Sequence, residues 1–285
     1  MKNLFKTLAL VTSVTALATC GSTQAQTING WGFDNNSGPN GATITDSGSG
    51  GNINVSGVSS GNSALRAALP TAVTLSLGES VTFSGGFNFT SGSMGAGLLR
   101  LGILDYASLG TLSAGVWNVP ATASGYGYWP STGGTALGNP SGAVDLVAKP
   151  TSAGNAWYSG TGGYGVGSAT ANANHIDSSG TPTYTFSFTV TDTASGVQLS
   201  YSLQGNNSPA YSASGTYLDT GAAQNLTFNA VGIDDNSADS AFASPGVNFT
   251  GLTETISPVP EPSSMALMGL GVLVGGMLIR RRQKA

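Results

Sequence analysis

The 285-residue chain carries few charges: Asp, Glu, Lys and Arg make up 8% of it, against about 25% in an average soluble domain. Between Thr27 and Ser257 lie three basic and twelve acidic residues, so most of the positive charge is confined to the two ends. An acidic body repels phosphate backbones, which argues against nucleic-acid binding. With a single cysteine, Cys20, the fold cannot depend on disulfides and must be held by apolar burial and sheet hydrogen bonds.

The N-terminus has the three parts of a secretory signal peptide. Lys2 and Lys6 form a positive segment, and Leu8–Ala18 forms an apolar segment that is too short to span a bilayer. Small residues follow, and we place the cleavage site after Ala25. Residues 1–25 are therefore predicted to direct the chain to the Sec export machinery.

Three other interpretations of this N-terminus stay open, and one of them is an anchor that is never cleaved. Cleavage after Ala18 would also leave a small residue at the site. Alternatively, Leu17-Ala18-Thr19-Cys20 would be a lipoprotein signal in which Cys20 is acylated, although threonine before the cysteine fits that motif poorly.

Residues 26–257 are predicted to form one antiparallel β-sandwich. Tyr184–Val190 places aromatic residues on one face and hydroxyls on the other, and Gly196–Leu203 alternates in the same way. The link Thr191–Gly196 has turn chemistry that suits a hairpin. No convincing amphipathic helix interrupts the body, which predicts an all-β fold. The predicted strands are Ala72–Leu77, Ser80–Phe89, Leu98–Leu104, Tyr184–Val190, Gly196–Leu203, Asn225–Gly232 and Gly251–Ile256.

The order of these strands resembles a concanavalin A-like jelly roll. The runs that carry the resemblance are Ala64–Arg66, Val73–Phe83 and Leu99–Leu104 in the front half, and Tyr184–Leu203, Phe228–Ile233 and Asn248–Ile256 in the back half. The resemblance covers most of the body and implies a jelly-roll-like sandwich.

The body lacks a recognisable catalytic pair. Jelly rolls host many glycosidases that use two carboxyl groups, often close together on one strand. The only glutamates between Thr27 and Ser257 are Glu79 and Glu254, and neither has a second acid at a useful spacing. We therefore predict no catalytic residues and a non-enzymatic protein, with a polysaccharide-acting enzyme on a jelly-roll scaffold as the alternative.

Two glycine-rich stretches concentrate aromatic residues and are the predicted glycan contacts. They contain Tyr126, Tyr128 and Trp129, and then Trp157 and Tyr158. Flat rings on loops can stack against sugar faces. The alternative is that these rings pack over the sandwich and cover its apolar edges.

An acidic segment after a predicted strand is the one candidate for a metal site. Asp234, Asp235 and Asp239 could supply oxygen ligands to calcium, which prefers six to eight of them. The alternative is a solvated turn, and no other cofactor is expected.

The C-terminus has a three-part organisation. Val259-Pro260-Glu261-Pro262 is held extended by its prolines. Ser263–Ile279 carries no charge, and as a helix it would be about 25 Å long, at the short end of what spans a bilayer. The basic cluster Arg280-Arg281-Arg282 would stay cytoplasmic and stop transfer.

This tail, residues 258–285, resembles the PEP-CTERM sorting signal of Gram-negative bacteria. The resemblance implies recognition by an exosortase-type processing enzyme, transit through the inner membrane, and delivery to the cell surface or extracellular matrix, often beside exopolysaccharide. We therefore expect an exported surface or matrix protein with a structural or adhesive role and some capacity for glycan binding. A plain C-terminal anchor that is never cut is the alternative.

Overall fold

The body of the protein is built from strands. The computed structural model describes residues 23–34, 43–56, 63–89, 99–120, 123–130, 144–149, 164–171, 183–206, 210, 212–221, 224–235 and 246–258. Within these ranges every regular element is a β-strand, and residues 25–256 form one compact unit. Among the residues so described, no helix has the length and apolar character needed to cross a membrane. The predicted tail helix, Ser263–Ile279, lies outside them.

The strands are divided between two sheets. They are β1 (Gln24–Thr27), β2 (Gly32–Asp34), β3 (Thr43–Asp46), β4 (Ile53–Ser56), β5 (Ser63–Thr74), β6 (Ser80–Phe89), β7 (Leu99–Tyr106), β8 (Leu112–Ser113), β9 (Val116–Trp117), β10 (Ala123–Pro130), β11 (Val144–Lys149), β12 (Tyr164–Ala171), β13 (Tyr184–Thr193), β14 (Gly196–Gly205), β15 (Ser212–Asp219), β16 (Thr227–Asp235) and β17 (Val247–Ser257).

Sheet A contains both ends of the compact unit. Its strands run in the order β3–β4–β17–β6–β13–β14–β15, and β1 also pairs with β17. Strand β13 pairs with β6 on one side and with β14 on the other, both antiparallel. The predicted cleavage site after Ala25 falls within β1.

Sheet B holds the remaining strands. Its order is β8–β9–β2–β5–β16–β7–β10–β11–β12, antiparallel except for the parallel pair β2–β9. Strand β12 leaves this sheet at its end, because Thr170 and Ala171 pair with β15 of sheet A. The all-β antiparallel sandwich predicted from the sequence is thus confirmed by the strand pairings.

Large apolar side chains fill the space between the sheets. Along β13 buried and partly exposed residues alternate, which places Tyr184, Phe186, Phe188 and Val190 in the core. Aromatic contacts link these residues to β6: the rings of Phe83 and Phe186 lie 5.1 Å apart edge-to-face. Such pairs add stability beyond the area that they bury.

The hairpin predicted at Thr191–Gly196 is present. Thr193 pairs with Gly196 across a two-residue turn, and the register then continues along the whole of β13 and β14. Gly196 has a φ of 139°, and a Cβ there would lie 2.3 Å from the carbonyl oxygen of Asp219. Only glycine fits this position without strain.

The glycine-rich stretch around Tyr126 was predicted as a loop, and this prediction is wrong. Ala123–Pro130 forms strand β10, paired with β7 on one side and β11 on the other. Glycines on β10 face glycine or leucine on β7, as in the pairs Gly127–Gly102 and Gly125–Leu104. The apolar alternation that identifies a strand is therefore weak here.

Candidate functional site

A cluster of buried charged residues lies on the outer face of sheet B, the face turned away from sheet A. Arg66 on β5 is its centre and is fully buried, with Asp234 of β16 and Asp34 of β2 beside it. In the register of the sheet, Arg66 stands between Gly32 and Gly232. These neighbours carry no side chains, which leaves room for the guanidinium to lie along the sheet.

The guanidinium of Arg66 uses all three of its nitrogens. Nε donates to the hydroxyl of Tyr106 at 2.6 Å, and Nη1 donates to the carbonyl oxygen of Leu65 at 2.8 Å and to Oδ1 of Asp234. Nη2 lies 3.4 Å from Oδ2 of Asp234 and 3.4 Å from Oδ2 of Asp34. A planar guanidinium suits this fork-like pairing with a carboxylate.

The charges in the cluster stabilise one another against the cost of burial. Burial lowers the pKa of Arg66, but Asp234, Tyr106 and Asp34 together raise it above its ordinary value. Burial raises the pKa of Asp234 to about 6, although Arg66 favours the ionised form. Burial likewise raises the pKa of Tyr106 to about 12. At neutral pH the cluster therefore holds a cationic Arg66 beside an ionised Asp234, with Tyr106 protonated.

This arrangement corrects the calcium prediction at Asp234. Its carboxylate is fully buried and pairs with a guanidinium, and a cation in that position would repel a second one. Asp235 pairs with Ser63 and Leu99 at the end of β16, while Asp239 lies outside the described residues. Within the ranges that the structure describes, no three His, Cys, Asp or Glu side chains are grouped to hold a metal.

The structure also corrects one of the predicted glycan contacts. Tyr126 is 1% exposed, and its ring packs 6.3 Å from that of Phe228. Its hydroxyl lies 3.3 Å from Oδ2 of Asp219 and accepts the backbone N–H of Asn225 at 3.1 Å. A ring held in this way has no free face for a sugar, so Tyr126 is a core residue.

The other aromatic residues predicted to contact glycans fall in two groups. Tyr128 and Trp129 follow Tyr126 along β10, where Tyr128 pairs with Leu101 and Leu146, and Trp129 pairs with Asp145 of β11. Trp157 and Tyr158 lie outside the described residues, as do the sorting-motif residues Val259, Pro260, Glu261, Pro262, Arg280, Arg281 and Arg282.

The two glutamates of the body are not presented to one groove. Glu79 lies in the turn between β5 and β6, where its carboxylate accepts the backbone N–H of Ser76 at 2.9 Å. Glu254 lies on β17, is 1% exposed and shares the inward-facing register with Leu252. A glycosidase needs both carboxyl groups at the same substrate, which this arrangement does not offer.

Glu254 is a buried carboxyl group with little hydrogen bonding. Neither of its carboxylate oxygens has a hydrogen bond of normal geometry among the described residues, although the backbone of Thr71 favours its ionised form. Thr71 belongs to a bulge of β5, where Leu69–Ala72 oppose the single residue Asn229 of β16. Burial raises the pKa of Glu254 to about 7.

Sequence reasoning missed Arg66 and Asp34. Their partners are distant in the chain: Arg66 and Asp234 are separated by 168 residues. One signal was present, since Arg66 interrupts the apolar run Ala64–Leu69, and an arginine on a strand with little charge around it implies a buried partner.

Comparison with known proteins identifies the tail. Residues 258–282 match the model of the PEP-CTERM protein-sorting motif, which confirms the resemblance found in the sequence. A PEP-CTERM motif implies export, transit anchored in the membrane and processing by an exosortase. A search of curated proteins found no match to this chain.

Solved structures similar to the chain are lectin-like. Peanut lectin is 12% identical, with 83% of this chain and 97% of that chain covered at a TM-score of 0.39. Arcelin-5 from Phaseolus vulgaris, a lectin-like defense protein, is 13% identical, with 82% and 96% covered at 0.41. The potassium-bound carbohydrate recognition domain of Emp46p is 13% identical, with 77% and 89% covered at 0.43. These likenesses concern the arrangement of strands alone.

Proposed function

We propose that this chain is an exported β-sandwich protein that is sorted to the cell surface or extracellular matrix and has a structural or adhesive role there. The observation that carries the proposal is the sorting motif at residues 258–282. It begins directly after β17, which ends at Ser257.

A non-catalytic role fits the environments of four carboxyl groups of the body. The carboxylates of Asp34 and Asp234 are occupied by Arg66. Glu254 lies in the interior, and Glu79 is held in a surface turn. A general acid or base has to reach its substrate, and these four carboxyl groups are buried, paired or isolated from one another.

The experiment on sorting follows the location of the chain in its native host. Glu261→Ala should keep the protein in the inner-membrane fraction, whereas the unaltered chain should reach the outer surface or the medium. Glu79→Ala is the matched control, since Glu79 lies in a turn of the body, and it should leave the location unchanged. Equal surface delivery of the Glu261→Ala chain would refute sorting through this motif.

Weak glycan binding is part of the proposed role, with Tyr128, Trp129, Trp157 and Tyr158 as the contacts. Aromatic rings can stack against sugar faces. Trp129 lies near the end of β10, next to a connection of the sandwich. Connections often carry binding residues, which supports the proposal. Trp129→Ala should weaken binding to the exopolysaccharide of the host. Leu77→Ala, at a residue that is 63% exposed, is the control and should bind normally.

A further inference from the structure

The outer face of sheet A is an ordered array of hydroxyl groups. Across β6, β13, β14 and β15 one row of paired residues has a hydroxyl at every position: Thr82, Thr189, Ser200 and Thr216. The hydroxyl oxygens of Thr82 and Thr189 lie 2.8 Å apart. Neighbouring strands are about 4.8 Å apart, so the row holds one hydroxyl-bearing residue per strand at that backbone spacing.

A second row runs parallel to the first, two residues away on each strand. It consists of Ser84, Ser187, Ser202 and Ser214, again paired directly across the sheet. Ser84 continues it to β17, because its hydroxyl lies 3.0 Å from that of Thr253. We call these two rows the hydroxyl face. Its side chains are partly exposed on β6, β13 and β14 and exposed on β15.

The hydroxyl face carries no charge. The acidic residues within these four strands, Asp192 and Asp219, both pair with Val197 and so take the core-facing register. The outward positions of β6, β13, β14 and β15 hold no Asp, Glu, Lys or Arg. Surfaces of soluble domains usually carry about 25–35% charged residues, and this body has twelve acids that it places elsewhere.

The chemistry of the hydroxyl face selects among classes of partner. Protein interfaces are anchored by Trp, Tyr and Arg and are depleted in serine. By contrast, the outward positions of β6, β13, β14 and β15 hold Leu218 as their one large apolar side chain. An anionic polymer would need cations, which the outward positions of these strands lack. A hydroxyl both donates and accepts hydrogen bonds, so the best match is a polymer that is itself uncharged and rich in hydroxyls.

We propose that the hydroxyl face binds a neutral polysaccharide, which lies across the strands and exchanges hydrogen bonds with successive hydroxyls of each row. Small side chains let the polymer approach the sheet closely, and the repeat of the rows suits a ligand that itself repeats. This inference rests on the proposed matrix role and adds a binding surface on the opposite sheet from β10.

The test measures binding of the full chain, solubilised in a mild detergent, to microcrystalline cellulose as the neutral probe and to alginate as the anionic probe. We expect binding to cellulose and none to alginate. Ser187→Glu combined with Ser202→Glu should weaken cellulose binding about tenfold or more. Ser202→Thr, which keeps the hydroxyl, and Ser113→Glu, at an exposed position of β8 in sheet B, should bind as the unaltered chain does.

Because Ser187 and Ser202 are half-buried, Thr216→Glu at an exposed position of β15 tests the same surface without a risk to folding. Absence of cellulose binding, or equal binding to alginate, would overturn the inference. Cellulose binding that survives Thr216→Glu but is lost in Trp129→Ala would also overturn the inference, and it would assign the binding to the aromatic contacts. Self-association abolished by Thr216→Glu would assign the face to a second copy instead. None of these outcomes bears on sorting, which Glu261→Ala tests separately.

Discussion

Replacement of Glu254 by glutamine should make the sandwich more stable at alkaline pH. The carboxyl group is buried, and its pKa is raised from 4.5 to about 7 by that burial. The folded chain therefore binds this proton more tightly than the unfolded chain does. It follows that the free energy of unfolding falls as the pH rises from about 4.5 to about 7 and is level above that range.

The size of the effect follows from the shift. Moving a pKa from 4.5 to about 7 corresponds to about 3 kcal/mol at most. Relaxation of the structure around the charged form recovers part of this cost, so we expect about 1–2 kcal/mol. Glu254→Gln removes the charge and nearly preserves the shape. It should gain about 1–2 kcal/mol over the unaltered chain at pH 8 and little or nothing at pH 4.5.

Urea unfolding between pH 4.5 and pH 8, followed by the fluorescence of the buried Trp31, gives the difference in stability at each pH. The difference isolates Glu254, because the other titrating groups are common to both chains. Thr253→Ser, a conservative change one residue away, is the control. Its difference in free energy of unfolding from the unaltered chain should not change with pH. The reasoning would be refuted if the difference in free energy of unfolding between Glu254→Gln and the unaltered chain also stayed constant with pH. It would be refuted as well if the difference favoured the unaltered chain increasingly as the pH rises.

Two further substitutions test other parts of the fold. Arg66→Ala should cost about 3–5 kcal/mol, because it leaves Asp34 and Asp234 buried without their cation; a loss below about 1 kcal/mol in urea unfolding would mean that the cluster is hydrated. Gly196→Ala should cost about 1–3 kcal/mol, because its φ of 139° strains any residue with a Cβ; an unchanged melting temperature would show that the hairpin can relax.

The strands that could be predicted from the sequence are those with large side chains at alternate positions. Strand β6 was placed at its observed bounds, Ser80–Phe89, because phenylalanine and valine alternate with small polar residues along it. The hairpin β13–β14 was found for the same reason and also because of its turn. In these strands one face is buried, so apolar residues recur at every second position of the sequence.

Other strands could not be recognised because their composition hides that period. Ser212–Asp219 has few apolar residues, since its outward side is part of the hydroxyl face. The side of β10 opposite Tyr126 includes Gly125 and Gly127. These segments gain their strand conformation from pairing with neighbours that are distant in the chain, and a single sequence does not display such pairing.

The charged cluster was hidden for a related reason. Arg66 and Asp234 are brought together by the pairing of β5 with β16, and Asp34 by the pairing of β2 with β5. Seen in the sequence alone, Asp234 stands at the head of an acidic segment and suggested a metal ligand. The nearby guanidinium, which only the sheet register supplies, changes that interpretation.

The most direct test of the central claim is the intact mass of the mature protein from its native host, with and without the exosortase-type enzyme. If the tail is a sorting signal, the protein should lose the mass that follows Val259-Pro260-Glu261-Pro262 only when the enzyme is present. A mass that retains Ser263–Ala285 in both strains would contradict sorting by processing and would leave an anchored surface protein.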